Sequence, residues 1–401
     1  MKNTLDLHVT KEMWIEMSAH ERWQYVGYLI LRFAKKNYMM IIFLIAAIVS
    51  CFFIPQEEQT LNHYIKAINP KTIVCLFILM LTIRALTNIK FFKIISAAIL
   101  KKIHTLRALE LILVFLPALC SLFITHDVAL ITFIPFTIVM MDMAGMQKKL
   151  PKVIILEVLA CSLAGTISPI GTLQNIYLLD ELHIPAFAYI TTCWPIALAG
   201  YGAIFIFCLI EKKVEISPVD TGKRVLPKGK TILYLSLFVL SVVAIFDFIQ
   251  TPRLYWVIAP IVAICILITD RRAYAKVKYP VLILFLSMFV IGANLQCIPV
   301  VNNFLEKLMS WEFFVIIGTS QVVSNTTAIV LLAPFTSNIP TFLIASAVSK
   351  FGSPITTTAN QMVMTIYPNN GTKRNFLLWY ILAEFGFLFW LMGIGALMIF
   401  L

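Results

Sequence analysis

Apolar runs of membrane-crossing length recur along the whole chain, and no other feature constrains the fold as much. A hydrocarbon core about 30 Å thick is crossed by roughly 20 apolar residues in a helix. Such runs lie near 38–54, 72–88, 153–182, 186–210, 231–249, 254–269, 280–297, 341–367 and 376–398. Charged residues are only 13% of the 401 and hydrophobic ones 60%, whereas soluble domains carry about 25% charged residues. A water-soluble fold of this size cannot hide so much apolar surface, so the solvent is a bilayer. That excludes a soluble enzyme, a nucleic-acid reader and a disordered scaffold. In lipid the backbone must satisfy its own hydrogen bonds, so the chain is expected to be an all-α polytopic membrane protein.

Two further apolar stretches, 108–144 and 312–336, carry a polar cluster at mid-length and are long enough to enter and return. They read as re-entrant helical hairpins. With the N-terminus in the cytoplasm, 26 of the 32 Lys and Arg fall in the inner loops and four, Lys66, Lys71, Arg253 and Lys307, in the outer ones. This is the positive-inside pattern, and it puts the C-terminus outside. The net charge of +12 is therefore spread over loops and does not mark a nucleic-acid surface. Residues 11–37 and 91–107 mix apolar and basic residues as interfacial helices do; in the second, Lys101, Lys102 and Arg107 can meet lipid headgroups. Neither a signal peptide nor a lipidation signal is expected. The eight cysteines sit in apolar runs without a CxxC pair and read as buried thiols. No metal-ligand spacing is present, so a metal site formed by His and Cys is not expected.

The chain also repeats itself. THDVALITFIPF at 125–136 aligns with SNTTAIVLLAPF at 324–335, matching Ala129 with Ala328, Pro135 with Pro334 and Phe136 with Phe335. In the crossings that follow, 168–175 aligns with 353–360 in the pattern S-P-I-x-T-x-x-N. On the topology above, the paired segments enter from opposite sides. The expected organisation is an interfacial segment 1–37, a first inverted repeat 38–210, a cytoplasmic loop and linker helix 211–253, and a second inverted repeat 254–401. Each repeat carries one re-entrant hairpin and one broken transmembrane helix. Inverted repeats with paired broken helices mark secondary transporters.

Transport chemistry explains these residue types. Pro and Gly interrupt the helix and free backbone groups at membrane depth, where only protein or a wet cavity can satisfy them. Freed carbonyls with Ser, Thr and Asn oxygens suit a hard cation, and half-helix N-termini suit an anion. The candidate substrate- and ion-binding residues are therefore Thr125, His126 and Asp127 at the first tip, and Ser324, Asn325, Thr326 and Thr327 at the second. The breaks supply Ser168, Gly171, Thr172 and Asn175, and Ser353, Thr356, Thr357 and Asn360.

The Ser324-Asn325-Thr326-Thr327-Ala328 run resembles the Ser-Asn-Thr signature of the divalent anion:sodium symporters. Thr125-His126-Asp127-Val128-Ala129-Leu130 is more similar to the Asn-Asp form in arsenite-permease-like and sodium/proton-antiporter-like members. PIGTLQNIYL at 169–178 and FLSMFVIGANLQ at 285–296 resemble the segments after the first hairpin and before the second. Together they identify a citrate-transporter-like anion permease of the ion transporter superfamily. The resemblance implies a scaffold domain and a moving transport domain, a homodimer and an elevator-type motion. It implies that Ser324, Asn325 and Thr326 contact the anion or a cation, that Thr125, His126 and Asp127 do so from the other hairpin, and that Asn175 and Asn360 line the broken helices. The first tip departs from the symporter pattern, since Thr-His-Asp puts an ionisable group where a neutral one stands.

The expected function is secondary active transport of an anion, a di- or tricarboxylate by resemblance, across the cell membrane. No cofactor is expected beyond Na⁺ or H⁺ as coupling ion, and no nucleic-acid partner; the partners are a small anion, lipid and a second copy of the chain. A cation/proton antiporter using Asp127 and an arsenite-type efflux permease stay open. No nucleotide-binding loop or catalytic triad pattern is present, so an enzyme is not expected. Other ionisable residues in or near spans are Arg84, Glu110, Asp142, Glu157, Asp247, Lys350 and Glu384. Of these Glu110, Asp142, Glu157 and Asp247 read as span-end groups that reach water.

Overall fold

The computed structural model describes residues 19–54, 64, 68, 70–92, 94, 103, 105–211, 214–215, 226–246, 254–354, 356–357, 360, 363–364, 366–367 and 373–400. Among them every regular element is a helix, and the one extended contact is a bridge between Thr105 and Glu215. The all-helical expectation therefore holds. Among the described residues seven helices are long and apolar enough to cross a membrane, or eight if a first pair bent by 82° forms one span. Asp247 and the pair Lys101 and Lys102 lie outside the described residues.

The first half runs α1 (Ala19–Lys36), α2 (Tyr38–Ser50), α3 (Pro70–Asn88), α4 (Leu106–Ser121), α5 (His126–Met143), α6 (Leu150–Ile167), α7 (Leu173–Glu181) and α8 (Ala186–Leu209). The second runs α9 (Lys228–Phe246), α10 (Leu254–Thr269), α11 (Arg271–Ala275), α12 (Tyr279–Cys297), α13 (Pro299–Leu308), α14 (Glu312–Val322), α15 (Asn325–Leu332), α16 (Ile339–Val348) and α17 (Lys373–Phe400). Proline opens α6, α12, α13 and α16, where its missing N–H costs no helical bond. Helix α13 stands where the sequence reading placed an outer loop.

The two hairpins are α4–α5 and α14–α15. The 11 residues of α14 and 8 of α15 are too short to cross. The 18 residues of α5, expected as a re-entrant arm, are long and apolar enough to cross and are among the seven. Each hairpin packs against the crossing that follows it, α4 along α6 and α14 along α16. Helix α6 forms the centre, with 15 of its 18 residues buried. Helix α17 buries only a stripe through Phe376, Tyr380, Glu384, Phe387, Leu388, Leu391 and Gly395. Leu378, Trp379, Leu382, Phe389, Trp390 and Leu397 on its remaining surface are exposed, as lipid-facing residues are.

Three of the span-end expectations meet a mixed outcome. Glu110 and Glu157 are fully buried, and Glu157 lies mid-helix in α6 rather than at an edge. Glu110 is compensated by Lys152, whose Nζ lies 2.7 Å away. Asp142 lies in the last turn of α5 and accepts a hydrogen bond from Gln147. Lys152 and Lys149 both reach Glu211, just past α8, at 3.1 and 3.0 Å. Burial pushes the Glu211 carboxyl up, and the two ammonium groups outweigh that and hold it below the usual carboxylate range.

Candidate functional site

Both crossings break where the sequence motif places proline, at Ser168–Thr172 and after Val348. The hairpin tips dock on these breaks by the same backbone contact. The His126 N–H donates to the Gly171 carbonyl across 3.1 Å, and the Asn325 N–H to the Thr356 carbonyl across 2.8 Å. Gly171 and Thr356 occupy equal places in the two aligned motifs, as do His126 and Asn325 in the aligned tips. A second pair repeats this: Ser168 Oγ donates to the Leu122 carbonyl, and the Ser353 N–H donates to Gln321 Oε1 across 2.7 Å.

The contact requires glycine at 171. A Cβ there would lie 2.8 Å from Gly165 Cα and 3.2 Å from the Ser121 carbonyl, both backbone. Gly352, before the second motif, has φ +109°, which favours glycine, and a Cβ would meet Gln321 Oε1 at 2.4 Å.

Within the first break, Asn175 Nδ2 donates to the carbonyls of Gly165 and Ser168, both at 2.8 Å. Asn175 is thus the clamp that holds the broken ends of α6 and α7 together. In the second break, Asn360 Nδ2 reaches Thr356 Oγ1 at 3.3 Å, and Thr356 Oγ1 donates to the Ser353 carbonyl across 2.7 Å. The Gly352 N–H donates to Glu384 Oε2 across 3.3 Å, which gives Glu384 a place beside this break.

Two side chains join the halves. Gln174, at the start of α7, donates from Nε2 to Asn325 Oδ1, and its Oε1 accepts from Thr326 Oγ1 across 2.8 Å. Asn325 Nδ2 then donates to Ser349 Oγ across 2.6 Å. Lys350 crosses the other way, to the Gly165 carbonyl at 2.9 Å and Asn175 Oδ1 at 3.5 Å. The ends of α6, α7, α15 and α16 therefore meet in one buried polar cluster. Gln174 and Lys350 are outside the candidate set read from sequence. Their signal was the break in symmetry, since their aligned partners are Ala359 and Gly165.

The candidate residues divide. Asn175, Asn325, Thr326 and Gly171 belong to the cluster directly. Ser324 Oγ caps its own helix, accepting from the Thr327 N–H at 3.2 Å and donating to Thr327 Oγ1. Ser168 and Thr356 spend their hydroxyls on backbone carbonyls. Thr357 Oγ1 accepts from the Asn360 N–H at 3.2 Å. Thr125 is the N-cap of α5, without a side-chain cap bond. Thr172 Oγ1 and Asn360 Oδ1 are buried with no partner among the described residues. Asp127 faces Lys278 and His126: its Oδ2 lies 3.4 Å from Lys278 Nζ, before α12, and its Oδ1 lies 3.4 Å from His126 Nε2. Arg84 on α3 lies within electrostatic reach of it.

This arrangement holds polar backbone and amide groups at the depth of apolar helices, where lipid cannot satisfy them. It can bind a small polar solute. Among the described residues no cluster of three His, Cys, Asp or Glu could hold a metal ion. Known proteins agree with a transport role. The chain is 30% identical over 312 residues to an uncharacterized transporter, MJ0456, of Methanocaldococcus jannaschii, covering 77% of this chain and 84% of that protein. It is 26% identical over 305 residues to the inner membrane protein YbiR of Escherichia coli, covering 75% and 79%. The citrate transporter family matches residues 28–367, which takes in both hairpins and both breaks. The chain is a membrane transporter and belongs to the CitMHS citrate transporter family.

Proposed function

We propose that the protein is a secondary active transporter that moves a citrate-like di- or tricarboxylate, driven by H⁺ or Na⁺. One observation carries this reading: both hairpin tips dock through the same backbone amide on the break of the following crossing, at motif-equivalent positions. Two half-helices, α7 and α15, begin in the shared cluster, and helix N-termini attract carboxylates. Free oxygens at the breaks suit a coupling cation. The family's description supplies the substrate class.

The matched contacts support two inverted repeats, and the basic loops support a cytoplasmic N-terminus in the cell membrane. By the same resemblance the hairpins and broken helices move as a unit within a homodimer, in an elevator-type motion. Antiport through Asp127 is the weaker reading, because that carboxylate is already faced by Lys278.

The test is uptake of radiolabelled citrate into proteoliposomes, with an inward H⁺ gradient, an inward Na⁺ gradient, or neither. Accumulation above equilibrium under one gradient is expected. Absence of uptake of any of citrate, succinate or malate under every gradient overturns the anion reading.

A further inference from the structure

The two breaks differ at one place. Three residues before the motif serine, the first repeat has Gly165 and the second has Lys350. Lys350 is 2% exposed, and no carboxylate among the described residues pairs with it. Among the described residues its Nζ hydrogen-bonds to neutral oxygens, the Gly165 carbonyl at 2.9 Å and Asn175 Oδ1 at 3.5 Å. Gly165 lies in the last turn of α6, where carbonyls lack helical donors and carry the negative end of the helix dipole. A backbone carbonyl and an amide oxygen at a helix C-terminus are ligands of the type that hard cations take.

Burying an ammonium without a counter-charge is costly unless fixed dipoles replace its water. Here the dipoles are those of a helix break. At the second break the arrangement is not mirrored. The position that would send a side chain back is Gly165, which has none. Asn360 Oδ1, the counterpart of Asn175 Oδ1, is buried with no partner among the described residues.

We propose that Lys350 is a tethered resident cation: its ammonium fills the oxygen site at the first helix break, so that this break takes no diffusible alkali ion and only the second break is open to one. The site itself stands on geometry alone; its consequence, a single coupling ion, rests on the transport reading above.

The experiment is thermal unfolding of the purified full chain in choline chloride, NaCl, KCl or propylammonium chloride at equal ionic strength, without substrate. Lys350→Ala removes the atoms of a propylammonium. In choline it should unfold below the parent. Na⁺, K⁺ or propylammonium should then raise its unfolding temperature, saturably, by about 2–4 °C more than the same salt raises the parent. Lys350→Met fills the volume without charge; it should unfold below the parent and gain no more from any salt than the parent does. An Ala variant that gains nothing beyond the parent overturns the proposal, as does a Met variant as stable as the parent in choline. If the Ala variant yields no folded protein in choline, purification in NaCl or propylammonium decides. Folded protein there supports the proposal, and unfolded protein in both overturns it. Because no substrate is present, failed citrate uptake with intact cation rescue sinks the transport reading alone.

Discussion

The Thr326 hydroxyl donates to the side-chain carbonyl of Gln174 across 2.8 Å, joining the tip of the second hairpin to the first turn of the helix behind the first break. The Gln174 amide closes the clamp on Asn325 Oδ1. Both partners are amides or hydroxyls, so the join is neutral and can open without moving charge through an apolar interior. Gln174 is 2% and Asn325 1% exposed, so an orphaned partner would find no water.

Replacing Gln174 by Leu should cost about 1–3 kcal/mol of stability, because Asn325 Oδ1 and Thr326 Oγ1 lose a partner in a dry site. Asn325→Ala strips the tip of its donor to Ser349 as well and should abolish citrate-dependent stabilisation while the protein still expresses. Thermal unfolding with and without citrate checks both. A parent-like citrate response in Asn325→Ala makes Ser324-Asn325-Thr326 a structural turn.

Gly171→Ala should act through geometry alone. Its Cβ would press on Gly165 Cα at 2.8 Å and the Ser121 carbonyl at 3.2 Å, both backbone atoms that cannot swing aside. Overpacking of this kind costs about 1–3 kcal/mol. The strain should lift the His126 N–H off its acceptor and so loosen the first tip only. Hydrogen exchange resolved to peptides should show faster exchange at 122–130 and unchanged exchange at 321–330. Equal loosening of both tips would mean that the hairpins do not dock independently.

What the sequence made legible was the local chemistry. Proline, glycine and polar residues at membrane depth mark a break whatever surrounds them, so Ser168–Asn175 and Ser353–Asn360 could be found without a structure. Pairings across the chain were not legible. Gln174 meets Asn325 151 residues away, and Lys350 meets Gly165 185 residues away. Neither residue type announces such a partner; Lys350 stood out as a charge within a span and both as failed matches in the repeat. Lys278 read as one more basic loop residue until folding brought it to Asp127. Glu157 read as a span-end group because its helix start was placed at 153. The helix begins at Leu150, which puts the carboxylate deeper in the span.

The Glu211 cluster gives a pH signature. The Lys149 and Lys152 ammonium groups hold its carboxyl below its ordinary range in the folded protein. A carboxylate with a depressed folded value stabilises above its unfolded range, near pH 4–5. That contribution is lost as pH falls through the folded value. Both lysines keep water on part of their surface, so the interaction is of order 1 kcal/mol, closer to an exposed pair than a buried one. Glu211→Gln should therefore unfold below the parent from neutral pH down to about 5, and the two curves should converge below about pH 4. Curves that stay equally separated down to pH 3.5 assign the loss to packing.

On the proposed transport reading, Asp127 is the candidate coupling group at the first tip, beside any ion held at the second break. It stands at the first tip, faced by Lys278, with His126 beside it and Arg84 in reach, so its charge is partly balanced rather than bare. An approaching anion is repelled by an ionised Asp127 and attracted by Lys278 and Arg84. Neutralising Asp127, by a proton or a bound cation, tips that balance towards the anion. On that reading the order, cation first and anion second, would couple the two. Asp127→Asn fixes the neutral form without changing the side chain's size. It should keep citrate-dependent stabilisation, lose the pH or Na⁺ dependence of that binding, and lose gradient-driven accumulation in proteoliposomes. Lys278→Met removes one opposing charge and should weaken citrate binding, because an ionised Asp127 then keeps less positive charge around it at the tip. The double variant should bind citrate better than Lys278→Met alone, since its repelling carboxylate is gone. Full accumulation by Asp127→Asn against a citrate gradient removes Asp127 from coupling and transfers that role to the second break.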